Sequence, residues 1–302
     1  MVDALRSFAH RNRTPLTHGA VLGLWSASAI WVWLLTVAQG PRGPEGGWVG
    51  VDSYAYWYAF QHDLYGYDEV VSPGALTGRY LYSPLFAQVL WPVTRLPWEG
   101  FAPLWSIAMA AVFWWLLRPL AVRWRVPAFV FLCLEEVILG NVRALIAVAL
   151  VLALRHPALW AIPLLTKVAS GVGVLWPVMR REWRKVAVLL LTLLGLVAVS
   201  VALDPQLWLD WIAFLRQEIV VPTGGYPLAV ARGLTAVAIV VVAARQGRPH
   251  WLAPATALAS PVIYLADLSL LAAMPRLYAQ RDLQTGPAPA EPPAERRPST
   301  HG

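Results

Sequence analysis

The residues that could do chemistry lie in two places. One is a polar, aromatic stretch from Asp52 to Pro84. It holds the acids Asp52 and Asp63, a dense set of tyrosines that includes Tyr56, and Arg79 immediately before Tyr80, Leu81 and Tyr82. The other is a set of ionisable side chains inside apolar runs: Glu135, Glu136, Arg143, Lys167 and Asp267. An ionisable group within a membrane-length run is costly, so each one raises a functional reading by default. The competing reading is structural. Glu136 and Arg143 are seven positions apart, so a continuous helix puts them on one face, about two turns apart, where an ion pair can tie helices together. Lys167 lies mid-span, where snorkelling to an interface is hard, and for Asp267 the two readings are equally open. Asp52 follows the first apolar run closely, where an acid can sit at the membrane face of a cavity; a plain exposed loop acid is the alternative.

Other chemistries lack their residues. His62 and Asp63 are adjacent, but no further ligands at metal-like spacing accompany them, so no metal site is expected. There is no Ser/His/Asp arrangement of predictable geometry, no P-loop, and no GxGxxG opening a helix after a strand. A soluble nucleotide-using domain is therefore not expected, no cofactor is needed, and any group donor must reach the site from the membrane.

The elements that must position these residues are hydrocarbon-soluble. The chain has 302 residues, of which 58% are apolar and only 14% charged. Its apolar runs approach the ~20 residues needed to cross a bilayer as a helix. The fold class is accordingly all-α, a polytopic membrane protein with about nine transmembrane helices. These fall at 20–38, 84–97, 99–117, 126–140, 142–154, 157–179, 186–203, 228–244 and 251–274, the last interrupted by Pro254 and Pro261 and open to a re-entrant reading. Residues 1–278 form a single membrane domain, with 39–83 as a large loop, and the Pro/Ala/Glu/Arg-rich tail 279–302 reads as disordered. The lone Cys133 excludes a disulfide within the chain. The net charge of +7 comes largely from arginines at the ends of apolar runs, which suits anionic headgroups and not a nucleic acid. Seventeen tryptophans suit an interfacial belt.

Arg6, Arg11 and Arg13 precede the first run, which places the N-terminus in the cytoplasm and the Asp52–Pro84 loop outside a cell membrane. That first run is long for a signal peptide and lacks a small-x-small cleavage site, so it reads as an uncleaved helix. Nine spans put Arg180–Lys185 and Arg245–Arg248 inside but Arg118, Arg123 and Arg125 outside. Dropping 84–97 reverses the conflict without removing it.

With these residues located, the chain resembles glycosyltransferase family 87, polytopic GT-C-type enzymes. Three places carry the likeness. The first is Asp52 with Tyr56, then Leu64-Tyr65-Gly66, then Tyr82-Ser83-Pro84-Leu85-Phe86. The second is Gly140-Asn141-Val142-Arg143, similar to a Gly-Gln-x-Asn run, followed by Lys167 and the basic turn at 180–184. The third is Ser260-Pro261-Val262, similar to a late Ser-Pro-x-x-Trp-x-His-His run. Here Asn141 and Arg143 stand for Gln and Asn, and Tyr264, Ala266 and Asp267 occupy the aromatic and histidine positions.

The resemblance implies transfer of a sugar, mannose in that family, from a polyprenyl-phosphate donor to a glycolipid or cell-envelope glycan acceptor at the outer face. Such a donor carries its own leaving group. The chemistry then needs a carboxylate to take the acceptor's proton and cations to meet the developing phosphate charge. Asp52 fits the first role. Arg79, Arg143 and Lys167 are candidates for the second, and Tyr56, Tyr80 and Tyr82 for lining a sugar pocket, with Asp63 and Asp267 as further substrate-binding candidates. Two rivals remain: a transport or lipid-handling protein using Glu135, Glu136, Lys167 and Asp267, and a degenerate assembly subunit.

Overall fold

The computed structural model describes residues 13–39, 50–61, 64–65, 80–218, 226–260 and 263–280. Every regular element among them is helical. Helix α1 (Arg13–Gln39) is followed by the short α2 (Val51–Ala59), α3 (Pro84–Thr94) and α4 (Trp98–Leu117). Then come α5 (Val122–Ala128), a π turn at Phe129–Cys133, α6 (Leu134–Leu139) and α7 (Arg143–Leu152). A 3-10 turn at Pro157–Trp160 leads to α8 (Ala161–Thr166), and another at Val168–Val174 to α9 (Leu175–Met179). Next are α10 (Trp183–Leu203), α11 (Pro205–Glu218) and α12 (Tyr226–Arg245). The 3-10 turn Pro249–Trp251, α13 (Leu252–Leu258), the 3-10 segment Leu265–Ala273 and α14 (Met274–Ala279) complete the described chain.

Three of these helices are long and apolar enough to cross a membrane by length and composition: Trp98–Leu117, Trp183–Leu203 and Pro227–Arg245. Helix α10 shows why it needs hydrocarbon around it. It carries no charge between Lys185 and Asp204, and Leu190, Leu191, Leu194, Val199 and Leu203 are exposed along it. Water would not tolerate that surface; lipid does.

Hydrogen bonds sort the helix ends into two groups. At one end Gly50 N–H donates to Ile138 O (2.6 Å), Ser83 Oγ to Leu165 O (2.7 Å) and Gln88 Nε2 to Ser200 O (3.2 Å). At the other, Arg276 Nε donates to Trp115 O (2.8 Å), Lys185 Nζ to Leu154 O (3.1 Å) and Arg180 Nη1 to Ala244 O (3.4 Å). Helix α4 links the two ends. Its 20 residues span about 30 Å, from Trp98 packed on Tyr54 to Leu117 beside Arg118. The Arg118–Arg125, Arg180–Lys185 and Arg245–Arg248 clusters therefore share one end, which removes the charge conflict read from the sequence. Helix α1 runs parallel to the 122–139 stretch, since Ser28 bonds Pro127 O (3.0 Å) and Trp31 packs on Phe131. Its N-terminus thus points toward the same basic end.

The conflict arose because three apolar segments do not run from end to end. Helix α3 stays at the site end, where Trp57 Nε1 bonds Leu96 O (2.8 Å) and Gln61 Nε2 bonds Thr94 O (3.1 Å). Segment 157–179 turns back on itself at Lys167, whose backbone is extended (φ −124°, ψ 93°). Its two legs pack through glycines: Gly171 lies against Leu164, and Gly173 against Trp160. Segment 249–280 also folds back, so that His250 meets Tyr278 (ring centroids 5.3 Å apart) while Asp267 reaches the other end. Because Trp160 is only 1% exposed, a methyl at Gly173 would run into a ring with nowhere to go. Gly173→Ala should cost about 1–3 kcal/mol, seen as a lowered unfolding temperature in detergent.

Candidate active site

Asp52 is placed by a short helix with a fixed entry. Gly50 takes the left-handed conformation (φ 73°) that glycine adopts without penalty. From there α2 starts, with Asp52 in its first turn, where a carboxylate is favoured by the helix dipole. The buried face of α2 carries Ser53, Ala55, Tyr56 and Ala59. The Tyr56 ring meets Tyr82, Trp105 and Phe86 edge-on at centroid distances of 5.3, 5.6 and 5.8 Å. Its hydroxyl shares a hydrogen bond with that of Tyr82 (3.0 Å), Tyr80 donates to Ser83 O (3.0 Å), and Tyr65 donates to Tyr82 O (2.9 Å). Tyr56, Tyr80 and Tyr82 are all buried. These rings dock α2 on the start of α3, so their first effect is to hold Asp52 in place. Burial, then the neighbouring Tyr82, then the Asp52 charge raise the Tyr56 phenol well above its ordinary range, so it stays protonated.

The corner Gly140-Asn141-Val142-Arg143 closes over this helix. Gly140 is also left-handed (φ 73°), and a Cβ there would lie 2.5 Å from Ser53 Oγ. Only glycine allows α2 and the corner to approach so closely. Trp105 Nε1 donates to Gly140 O (2.7 Å), pinning the corner to α4. Asn141 Nδ2 then donates to Asp52 Oδ2 (2.6 Å).

Glu136 and Arg143 do pair, though not along one helix face, because Gly140 ends the first helix between them. Arg143 opens α7. Its N–H donates to Glu136 Oε1 (3.0 Å), its Nη1 to Glu136 Oε2 (2.7 Å) and its Nε to Asp267 Oδ1 (2.6 Å). All three side chains are buried. The other Asp267 oxygen accepts from Tyr264 N–H (2.8 Å), which fixes the turn of the 249–280 hairpin. Two of the departures from the family-like motifs, Arg143 and Asp267, are thus each other's partner. Both are held by protein groups, which favours a positioning role over direct binding of phosphate.

Lys167 stands at the tip of the other hairpin. It is half-buried; its backbone is bonded to Pro163 O and Ser170 N–H, and its ammonium makes no hydrogen bond or ion pair among the described residues. The charges of Arg143, Glu136, Asp52 and Asp267 all act on it. Both hairpins therefore bring an ionisable tip to the same end of the bundle as Asp52. Asp63 and Arg79 lie outside the described residues, as do Pro261 and Val262. Asn141, Glu136, Gly140 and Trp105 belong to the site although the sequence did not single them out as binding residues. Two apolar clefts of about 490 and 320 Å³, around Pro119, His250 and Tyr278 and around Val112 and Val148, contain neither Asp52 nor Lys167.

Asp52 and the Lys167 ammonium, which has no ion-pair partner among the described residues, thus lie at one end of a helical bundle. No curated protein and no solved structure matches the chain. Residues 80–288 match the model of glycosyltransferase family 87, a segment that contains Arg143, Lys167 and Asp267 and begins after Asp52. The chain belongs to glycosyltransferase family 87, a family of membrane glycosyltransferases.

Proposed function

We propose that the protein transfers a sugar, mannose by family resemblance, from a polyprenyl-phosphate donor to a lipid or cell-envelope glycan acceptor at the outer face of the cell membrane. The observation that carries this reading is the placement of Asp52 and Lys167 at one end of the bundle, the Lys167 ammonium having no ion-pair partner among the described residues. The acceptor oxygen attacks the anomeric carbon while Asp52 takes its proton. The carbon–oxygen bond to phosphate breaks, and the electron pair leaves on the phosphate, whose charge Lys167 meets. The polyprenyl chain stays in the bilayer, so no nucleotide is involved.

Orientation follows from charge. The basic clusters all lie at the end away from Asp52, and positive loops are retained in the cytoplasm. Ser72→Cys should then react with a membrane-impermeant maleimide from outside. Reaction only after permeabilisation would place Asp52 on the cytoplasmic side and end the outer-face mechanism.

Lys167→Met should weaken binding of polyprenyl-phosphate mannose by roughly 10- to 100-fold, the worth of a charge-assisted contact, with the fold intact. Binding equal to wild type would leave Lys167 with a structural role only. A transport role for Glu136 and Asp267 is disfavoured, since both carboxylates hold Arg143.

A further inference from the structure

We propose that Asn141 orients the base, holding one oxygen of the Asp52 carboxylate so that the other is presented to the acceptor hydroxyl. This rests on the reading of Asp52 as general base. Asn141 Nδ2 donates to Asp52 Oδ2 at 2.6 Å, while Asp52 Oδ1 accepts no hydrogen bond among the described residues and the residue is partly exposed. The amide cannot turn over freely. Its Oδ1 accepts from Val142 N–H (2.7 Å), and a flipped amide would set two donors against each other while taking the donor away from Asp52. Asn141 itself is buried, 6% exposed, in a corner locked by left-handed Gly140 and by the Trp105 bond to Gly140 O. A carboxylate on the first turn of a nine-residue helix could otherwise rotate about its Cβ–Cγ bond and offer either oxygen. With Asn141 in place only one is offered, which converts a loosely placed acid into a directed proton acceptor.

Asn141 touches neither substrate nor the reacting atoms in this scheme; it is a positioning residue. The other charged or titratable groups that act on this carboxylate's surroundings are Tyr56 and Tyr82 from the aromatic wall, Glu136 from α6 and Lys167 from the hairpin tip. Each of them is left in place when only Asn141 is changed.

The test uses the full-length purified protein with radiolabelled polyprenyl-phosphate mannose and a membrane glycolipid extract. Asn141→Ala should lower kcat about 10- to 100-fold, as loss of a hydrogen bond to a charged group, with KM for the donor changed by less than about twofold. Asn141→Asp puts a second carboxylate beside the first, so one of the two must hold a proton; the acid limb of the kcat profile should move up by about one pH unit or more. Asn141→Gln, which keeps an amide, should recover part of the loss. Asn141→Ala added to Asp52→Asn should lower the rate no further. A purely structural Asn141 would instead lower unfolding temperature and leave the pH profile in place. An unmoved acid limb in Asn141→Asp, or wild-type kcat in Asn141→Ala, overturns the proposal while Asp52→Asn remains inactive. Full activity in Asp52→Asn is a different failure: it removes the base itself, and this inference with it.

Discussion

Asp52→Asn is expected to reduce sugar transfer by about 10²–10⁴-fold, the usual contribution of a positioned general base. The substitution changes volume little and keeps a polar side chain on the first turn of α2. The aromatic wall that docks this helix, Tyr56 against Tyr82, Phe86 and Trp105, is untouched. Expression, unfolding temperature and donor binding should therefore stay close to wild type, and the loss should fall on kcat. Asp63 lies eleven residues further along and serves as the control: Asp63→Asn should cost much less. The opposite ordering in a transfer assay would move the base to Asp63.

Arg143→Met should be the most destabilising single change in the site, by about 3–5 kcal/mol, the cost of removing one partner from a buried ion pair. It leaves Glu136 and Asp267 buried without their common partner, at a place where Arg143 bonds them at 2.7 and 2.6 Å. The turn of the 249–280 hairpin depends on the same contact, because Asp267 also holds Tyr264 N–H. Thermal unfolding in detergent reads the effect. The triple change Glu136→Gln, Arg143→Met, Asp267→Asn removes every charge of the set and should recover much of the loss. An Arg143→Met protein that unfolds at the wild-type temperature would show that the triad carries no weight in the fold.

The helical membrane class was legible because hydrocarbon leaves a plain mark: α4, α10 and α12 read directly from long apolar runs. The last segment, with Pro254 and Pro261, was open to a re-entrant reading and does fold back, but the 157–179 hairpin was not legible. Segment 157–179 has the length of a span, and what folds it back is the fit of Gly171 to Leu164 and Gly173 to Trp160, a tertiary contact with no periodicity of its own. Helix α3 was read as crossing for the same reason, since an apolar composition does not distinguish a short span from a segment packed at one end. Spacing found the Glu136–Arg143 pair for a reason that does not hold, because Gly140 breaks the helix between them. Asn141 stood in plain view beside Gly140, but its partner is 89 residues away, a separation at which a sequence holds no geometric cue. Tyr80 and Tyr82 looked like pocket residues, and their burial gives them a share in the core.

The central claim is that this membrane glycosyltransferase uses a lipid-linked sugar and the Asp52 carboxylate. Its most direct test is transfer of label from purified polyprenyl-phosphate mannose to a membrane glycolipid by the protein in lipid vesicles, run beside Asp52→Asn. The expected result is a labelled glycolipid with wild type and a loss of at least about a hundredfold with the variant. Equal transfer by both proteins, or none by wild type from any polyprenyl-phosphate sugar, would contradict it.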